Sequence, residues 1–223
     1  MAFRTEVFPD ADLNEAAADR LASELAEATS FVVTGGTTAE RVYAALATRG
    51  VRWGEKEILF SDERCVPPTD PASNFGMVDR LLFATDKPRT LHRMKGEDDP
   101  ESAASDYGTE IADVVRSGID LVYLGLGADA HVGAMFPGSR ALDATSELCA
   151  AVDRPDGMRG LTLTPPAMLS GRKVLLVAAG RGKAEAVRRI VAGNERPSSC
   201  PARLLEGHPD VTFLLDEAAA SRL

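Results

Sequence analysis

Asp129 and His131 are the residues whose types and spacing point most directly to chemistry. They follow the apolar run Asp120-Leu-Val-Tyr-Leu-Gly125 and precede Val132-Gly-Ala-Met-Phe-Pro-Gly138. A strand that ends in glycines and then presents an imidazole beside a carboxylate can deliver a general base into a crevice. The unperturbed histidine pKa of about 6.5 lets the ring take and return a proton near neutrality. A hydrogen-bonded structural histidine at a strand end is the plain alternative. His92, in a short strand, and His208, in a Gly-His-Pro turn, are read as structural.

Three other segments carry candidate binding groups. Thr34-Gly35-Gly36-Thr37-Thr38 joins a strand to a helix. Its glycines let backbone amides approach an oxyanion, the dipole of the following helix favours negative charge, and Thr34, Thr37 and Thr38 add hydroxyl donors. A tight turn with a threonine cap would account for the same residues. In Asp62-Glu63-Arg64, Arg64 suits a bidentate phosphate clamp and Asp62 suits sugar hydroxyls or a partner side chain, with a surface Asp–Arg pair as the equal local reading. Lys183, after Gly180-Arg-Gly182, opens a helix, where the dipole disfavours a cation unless an anion sits nearby; a solvated lysine is its alternative.

Gly125-Leu-Gly127-Ala-Asp-Ala130 has the outline of a dinucleotide fingerprint, but Gly133 and Phe136-Pro137-Gly138 interrupt the helix that fingerprint requires. A dinucleotide site is rejected. Histidines and cysteines form no ligand cluster, so neither a catalytic metal nor a cofactor is expected. No Gly-x-Ser-x-Gly elbow is present, and Cys65, Cys149 and Cys200 lack a histidine nearby in sequence, which disfavours acyl-enzyme chemistry.

The elements that must position these groups alternate between strand and helix patterns. Asp12 and Glu15 predict a capping box for a helix carrying Leu13, Ala17, Leu21, Leu25 and Ala28. Strands are predicted at 30–34, 57–61, 120–125, 160–164, 173–179 and 211–215, and helices after Gly36, near Ser73-Asn74, over 100–117, over 183–191 and at the C-terminus. The pattern predicts an α/β fold with a mainly parallel central sheet, in which ligands bind beyond the carboxyl ends of the strands. All four segments above fall at such ends.

With 223 residues, the chain is expected to form a single domain over 1–223. The net charge of −9 argues against a nucleic-acid partner, and an anion would need cations gathered locally. No run is long enough for a membrane span, the N-terminus lacks signal-peptide blocks, and three unpaired cysteines suit a reducing compartment. A cytoplasmic location is expected; oligomeric state is left open.

Together these segments resemble the 6-phosphogluconolactonase family of the glucosamine-6-phosphate isomerase-like superfamily. The ordered set comprises Thr34 to Thr38; Trp53; Phe60-Ser-Asp-Glu-Arg64 with Val66-Pro67; Asp70 with Ser73-Asn74-Phe75; Asp120 to Gly138; Arg159 with Leu161-Thr-Leu-Thr164; Gly180 with Lys183-Ala184; Pro201-Ala202; and Leu215-Asp216. The resemblance implies a Rossmann-like three-layer sandwich that hydrolyses a phosphorylated sugar lactone, 6-phospho-D-glucono-1,5-lactone, without metal. It implies His131 as acid/base, phosphate contacts from Gly35, Gly36, Thr37, Arg64 and Lys183, and Arg159 near the pocket; Asp129 or a backbone carbonyl is expected to hold the His131 ring. The chain departs from the family pattern at Ala130, where a glycine is usual, at Val132 and Ala134, where hydroxyls are usual, and at Ala39, where a proline is usual. The rival readings are a glucosamine-6-phosphate isomerase or deaminase, with Asp62 as base, and a non-catalytic sugar-phosphate-binding protein.

Overall fold

Phe31 to Val33, Val174 to Val177 and Phe213 to Leu215 are almost wholly excluded from solvent. Continuous apolar runs of this kind belong to strands covered on both faces, the situation of a parallel sheet between helices. The computed structural model describes residues 3–223. It begins with β1 (Arg4–Phe8), α1 (Leu13–Leu25), β2 (Ser30–Val33), α2 (Thr37–Leu46), β3 (Glu57–Phe60) and β4 (Asp62–Arg64). The middle holds α3 (Asn74–Leu82), β5 (Thr90–Leu91), α4 (Pro100–Glu110), α5 (Ala112–Ser117) and β6 (Ile119–Gly125). After these come β7 (Cys149–Asp153), β8 (Arg159–Leu163), α6 (Pro165–Met168), β9 (Gly171–Ala178), α7 (Ala184–Val191), β10 (Val211–Asp216) and α8 (Glu217–Ala220).

Seven strands form one sheet in the order β1-β10-β9-β6-β2-β3-β5, and every neighbouring pair is parallel. From β2 the chain moves outward through β3 and β5, then returns to the other side of β2 as β6 and continues through β9. The strand order therefore reverses between β2 and β6, and the loops leaving their carboxyl ends diverge to open a crevice. Helices flank the sheet: α1 packs on α2 and α2 on α3, with Leu13, Ala17, Leu21 and Leu25 of α1 turned inward.

Three local expectations are corrected. Asp12 has helical backbone angles (φ −99°, ψ −17°) and its side chain caps nothing, because a capping oxygen reaches the next amides only from an extended backbone. The helix predicted over 100–117 breaks at fully buried Ile111, whose ψ of −1° ends α4 before α5 begins. Asp62–Arg64 is itself a strand rather than the loop after one, and it joins β8 and β7 in a separate antiparallel sheet that the sequence pattern did not reveal. The edge strand β1 also went unpredicted.

Candidate active site

The loops at the carboxyl ends of the central strands enclose a crevice of about 610 Å³. Thr34, Gly35, Gly36, Thr37, Asp62, Arg64, His131 and Lys183 all line it. Asp129 stands behind His131: its Oδ1 is 2.6 Å from the ring Nδ1 and 3.2 Å from the His131 backbone nitrogen. An ionised carboxylate only accepts, so Nδ1 carries the proton and the neutral imidazole has its lone pair on Nε2. Nε2 has no protein partner among the described residues. Burial alone would raise the Asp129 pKa, but the hydrogen bonds and charge of His131 outweigh it and hold the carboxyl below its ordinary range.

Local backbone explains why the imidazole can lie there. A Cβ on Gly127 would fall 2.1 Å from Nδ1, so only glycine leaves room for the ring. Ala130, the residue between the dyad partners, is left-handed at φ 70°, at a cost of roughly 1 kcal/mol for a residue with a Cβ. The Gly127–Ala130 turn is closed by the Ala130 amide on the Gly127 carbonyl (3.0 Å), and the Ala130 carbonyl accepts from Ala202 (2.9 Å). The alanine therefore adopts the left-handed geometry that glycine would take freely. Val132 and Ala134 are fully buried and do not line the crevice, so the hydroxyls absent there would have faced the core.

The loop after β2 is shaped by a neighbour. Gly36 takes φ 95°, and a Cβ on Gly35 would lie 1.9 Å from Asn74 Oδ1. Asn74 donates to the Asp62 carbonyl (2.8 Å) and to Asp62 Oδ2 (3.1 Å). Ser61 Oγ donates to Asp62 Oδ1 (2.6 Å) and lies 3.0 Å from Thr34 Oγ1. Asp62 is thus fixed on both oxygens with its carboxylate at the crevice wall.

Glu63 points the other way, into the protein, where it accepts from the amides of Arg64, Asn74 and Phe75 and from the Ser73 hydroxyl. Burial raises its pKa against the pull of those donors. Arg64 donates to the Ala72 carbonyl, while its Nε is buried without a partner among the described residues. Burial lowers the Lys183 pKa, with the Asp129 charge pulling the other way.

Arg159 is not brought to the crevice. Opposite Asp153 in the β7–β8 ladder, it pairs with Asp153 (3.1 Å) and with Glu101 of α4 (2.6 Å). Arg154, from the turn between the same strands, lines the crevice instead, as do Arg41 and Asp216. Asp216 entered only through the resemblance, and Arg41 and Arg154 had no local sequence signal. Asn74 had one, since it follows the Ser73 cap of α3, but that signal spoke only of a helix start.

His92 bridges Glu110 (2.7 Å) and Glu57 (2.8 Å), and His208 contacts the Gly171 carbonyl (2.6 Å); both are structural, as expected. A broader groove of about 890 Å³ between α4 and residues 140–151 has Arg140 as its one basic lining residue. Among the described residues no group of three or more His, Cys, Asp or Glu is placed to hold a metal ion, and no helix is long and apolar enough to cross a membrane.

Residues 9–213 match the family model for glucosamine-6-phosphate isomerases/6-phosphogluconolactonase. The chain is 34% identical to a 6-phosphogluconolactonase of Synechocystis sp., over 87% of this chain and 84% of the relative. It is 36% identical to a glucosamine-6-phosphate deaminase of Rhodopirellula baltica, over 98% and 95%. In fold it superposes on a 6-phosphogluconolactonase from Trypanosoma cruzi with a TM-score of 0.88 at 24% identity, covering 100% of this chain and 98% of that one.

Proposed function

Since the chain belongs to the glucosamine-6-phosphate isomerase/6-phosphogluconolactonase family, we propose that it hydrolyses 6-phospho-D-glucono-1,5-lactone to 6-phospho-D-gluconate. The observation that carries this reading is the Asp129–His131 pair, with Nδ1 held and Nε2 open in a crevice lined by cations. A lactone is already an activated ester, so the protein has only to place water and manage its protons. Nε2 takes a proton from water as the oxygen attacks C1, and the Asp129 carboxylate supports the imidazolium that forms. The ring then returns that proton to the departing ring oxygen, and the C1–O5 bond breaks to give the carboxylic acid, which ionises. General acid–base help of this kind contributes about 10²–10⁴ in rate.

The substrate is oriented from its other end. The amides of the Gly35–Thr37 loop at the start of α2, with Lys183 and Arg64, seat the phosphate, and Asp62 accepts from sugar hydroxyls. Charge-assisted contacts at about 1.5–3 kcal/mol each are enough to exclude unphosphorylated lactones.

A second reading rests on the Rhodopirellula relative and on Asp62 at the crevice wall: isomerisation of glucosamine 6-phosphate with loss of ammonia. Against it, both Asp62 oxygens already accept hydrogen bonds, which suits holding a hydroxyl better than stripping a carbon-bound proton. The test is direct. Lactone generated in situ should disappear faster than its spontaneous hydrolysis, with no ammonia formed from glucosamine 6-phosphate. The reverse result would establish the deaminase, and binding without either reaction would leave a sugar-phosphate-binding protein.

A further inference from the structure

Arg154 is a crevice cation that the phosphate seat of Lys183, Arg64 and the Gly35–Thr37 loop does not use. Four basic side chains line the cleft: Arg41, Arg64, Arg154 and Lys183. Arg41 belongs to α2, whose amino end forms the phosphate loop, Arg64 ends β4, and Lys183 follows β9. Arg154 is placed differently. Its guanidinium lies over the Phe136 ring at 5.5 Å, and the same ring packs against the His131 imidazole at 4.4 Å between centroids. It is therefore a neighbour of the reacting end of the site.

The side chain is also preorganised. It is only 11% exposed, and Asp156 Oδ2 accepts from Nε (3.2 Å) and Nη2 (3.0 Å). That uses one edge of the fork. Nη1 has no partner among the described residues, so the Nη1–Nη2 edge is open, the edge that fits a second planar carboxylate with two parallel hydrogen bonds.

The reaction changes the charge at this end of the ligand. The lactone carries its charge on the phosphate alone, whereas the product carries a phosphate and a new carboxylate at C1. We propose that Arg154 is the seat of the C1 carboxylate, a second anion subsite that makes the crevice selective for phosphorylated aldonates and subject to inhibition by its own product. The inference rests on the lactonase reading, and it names a specificity residue for the product rather than a participant in proton transfer.

The test compares two stable ligands that share a 6-phosphate but differ at C1: 6-phosphogluconate, with a carboxylate, and glucose 6-phosphate, without one. Their dissociation constants are measured by calorimetry for the natural protein, Arg154→Met and Asp156→Asn. Arg154→Met should weaken 6-phosphogluconate about 10- to 100-fold, the worth of one charge-assisted pair, and leave glucose 6-phosphate within about twofold. Asp156→Asn keeps the charge but loosens its anchor, so it should lose part of the same preference, and it guards against a folding defect in the first variant. Equal weakening of both ligands would make Arg154 part of the phosphate seat, and no change in either would remove it from the site; each result overturns the inference. Failure of the lactonase reading is separable, because it would appear as absent hydrolysis by the natural protein.

Discussion

An imidazole serves as a base only if its lone pair faces the substrate, and Asp129 decides that for His131. His131→Ala should lower kcat by roughly 10²–10⁴ with little change in KM, since the ring acts on protons rather than on binding. Asp129→Asn should lower kcat by about 10²-fold, because an amide holds the ring but gives the imidazolium no charge to rest on. The same residue has a pH signature. Its folded pKa is depressed below the ordinary value of about 3.9, so its contribution to stability is fully present above that value and is lost as pH falls through the folded one. Unfolding of Asp129→Asn followed by urea should therefore show a deficit at pH 7 that disappears well below about pH 4. A deficit constant across that range would mean that packing, not the charge, is what the substitution removes.

At the scale of elements, the site depends on how β4 is tied to the start of α3. Glu63 gathers three backbone amides and one hydroxyl, and Asn74, held by that gathering, fixes Asp62 and forces glycine at position 35. Its raised pKa means that burial favours the neutral acid: that contribution is present below the unfolded value of about 4.3 and lost as pH rises through the folded one. Glu63→Gln removes the charged form that burial disfavours, yet it turns an NH₂ group toward amides that need an acceptor. The net loss should be about 1–3 kcal/mol in denaturant unfolding, with a rise in KM as Asp62 is released. An unchanged KM would separate Glu63 from the site.

Little of this support was legible in the sequence. The alternation of apolar strands with helices showed the main sheet, and glycines with a lone histidine marked its carboxyl ends. The β4–β8–β7 sheet escaped because Cys149–Asp153 has no clear period and Asp62–Arg64 is only three residues long. Arg154 escaped because a basic residue in a polar turn looks like any solvated side chain. Arg159, strand-borne and prominent in the resemblance, is instead committed to Glu101 and Asp153.

For the whole molecule the controlling fact is a net charge of −9 on a protein whose proposed substrate is an anion. Long-range attraction cannot gather that substrate, so affinity must come from cations held, against their own solvation, inside the crevice. Lys183 shows the consequence. Its pKa is lowered because burial disfavours the charged form. That cost is fully present below the folded pKa and fades only as pH rises toward the unfolded value of about 10.4. At neutral pH the ligand-free protein therefore holds the Lys183 ammonium at a cost. An anion beside it reverses the balance, and at a hundred times its dissociation constant would add about 2.7 kcal/mol by mass action. Lys183→Met should accordingly melt higher than the natural protein without ligand, gain little from added 6-phosphogluconate, and show a raised KM for phosphorylated lactone. Thermal unfolding of both proteins, with and without that ligand, measures the whole cycle. A variant that melts lower when empty and still responds fully to ligand would show Lys183 to be an ordinary structural lysine.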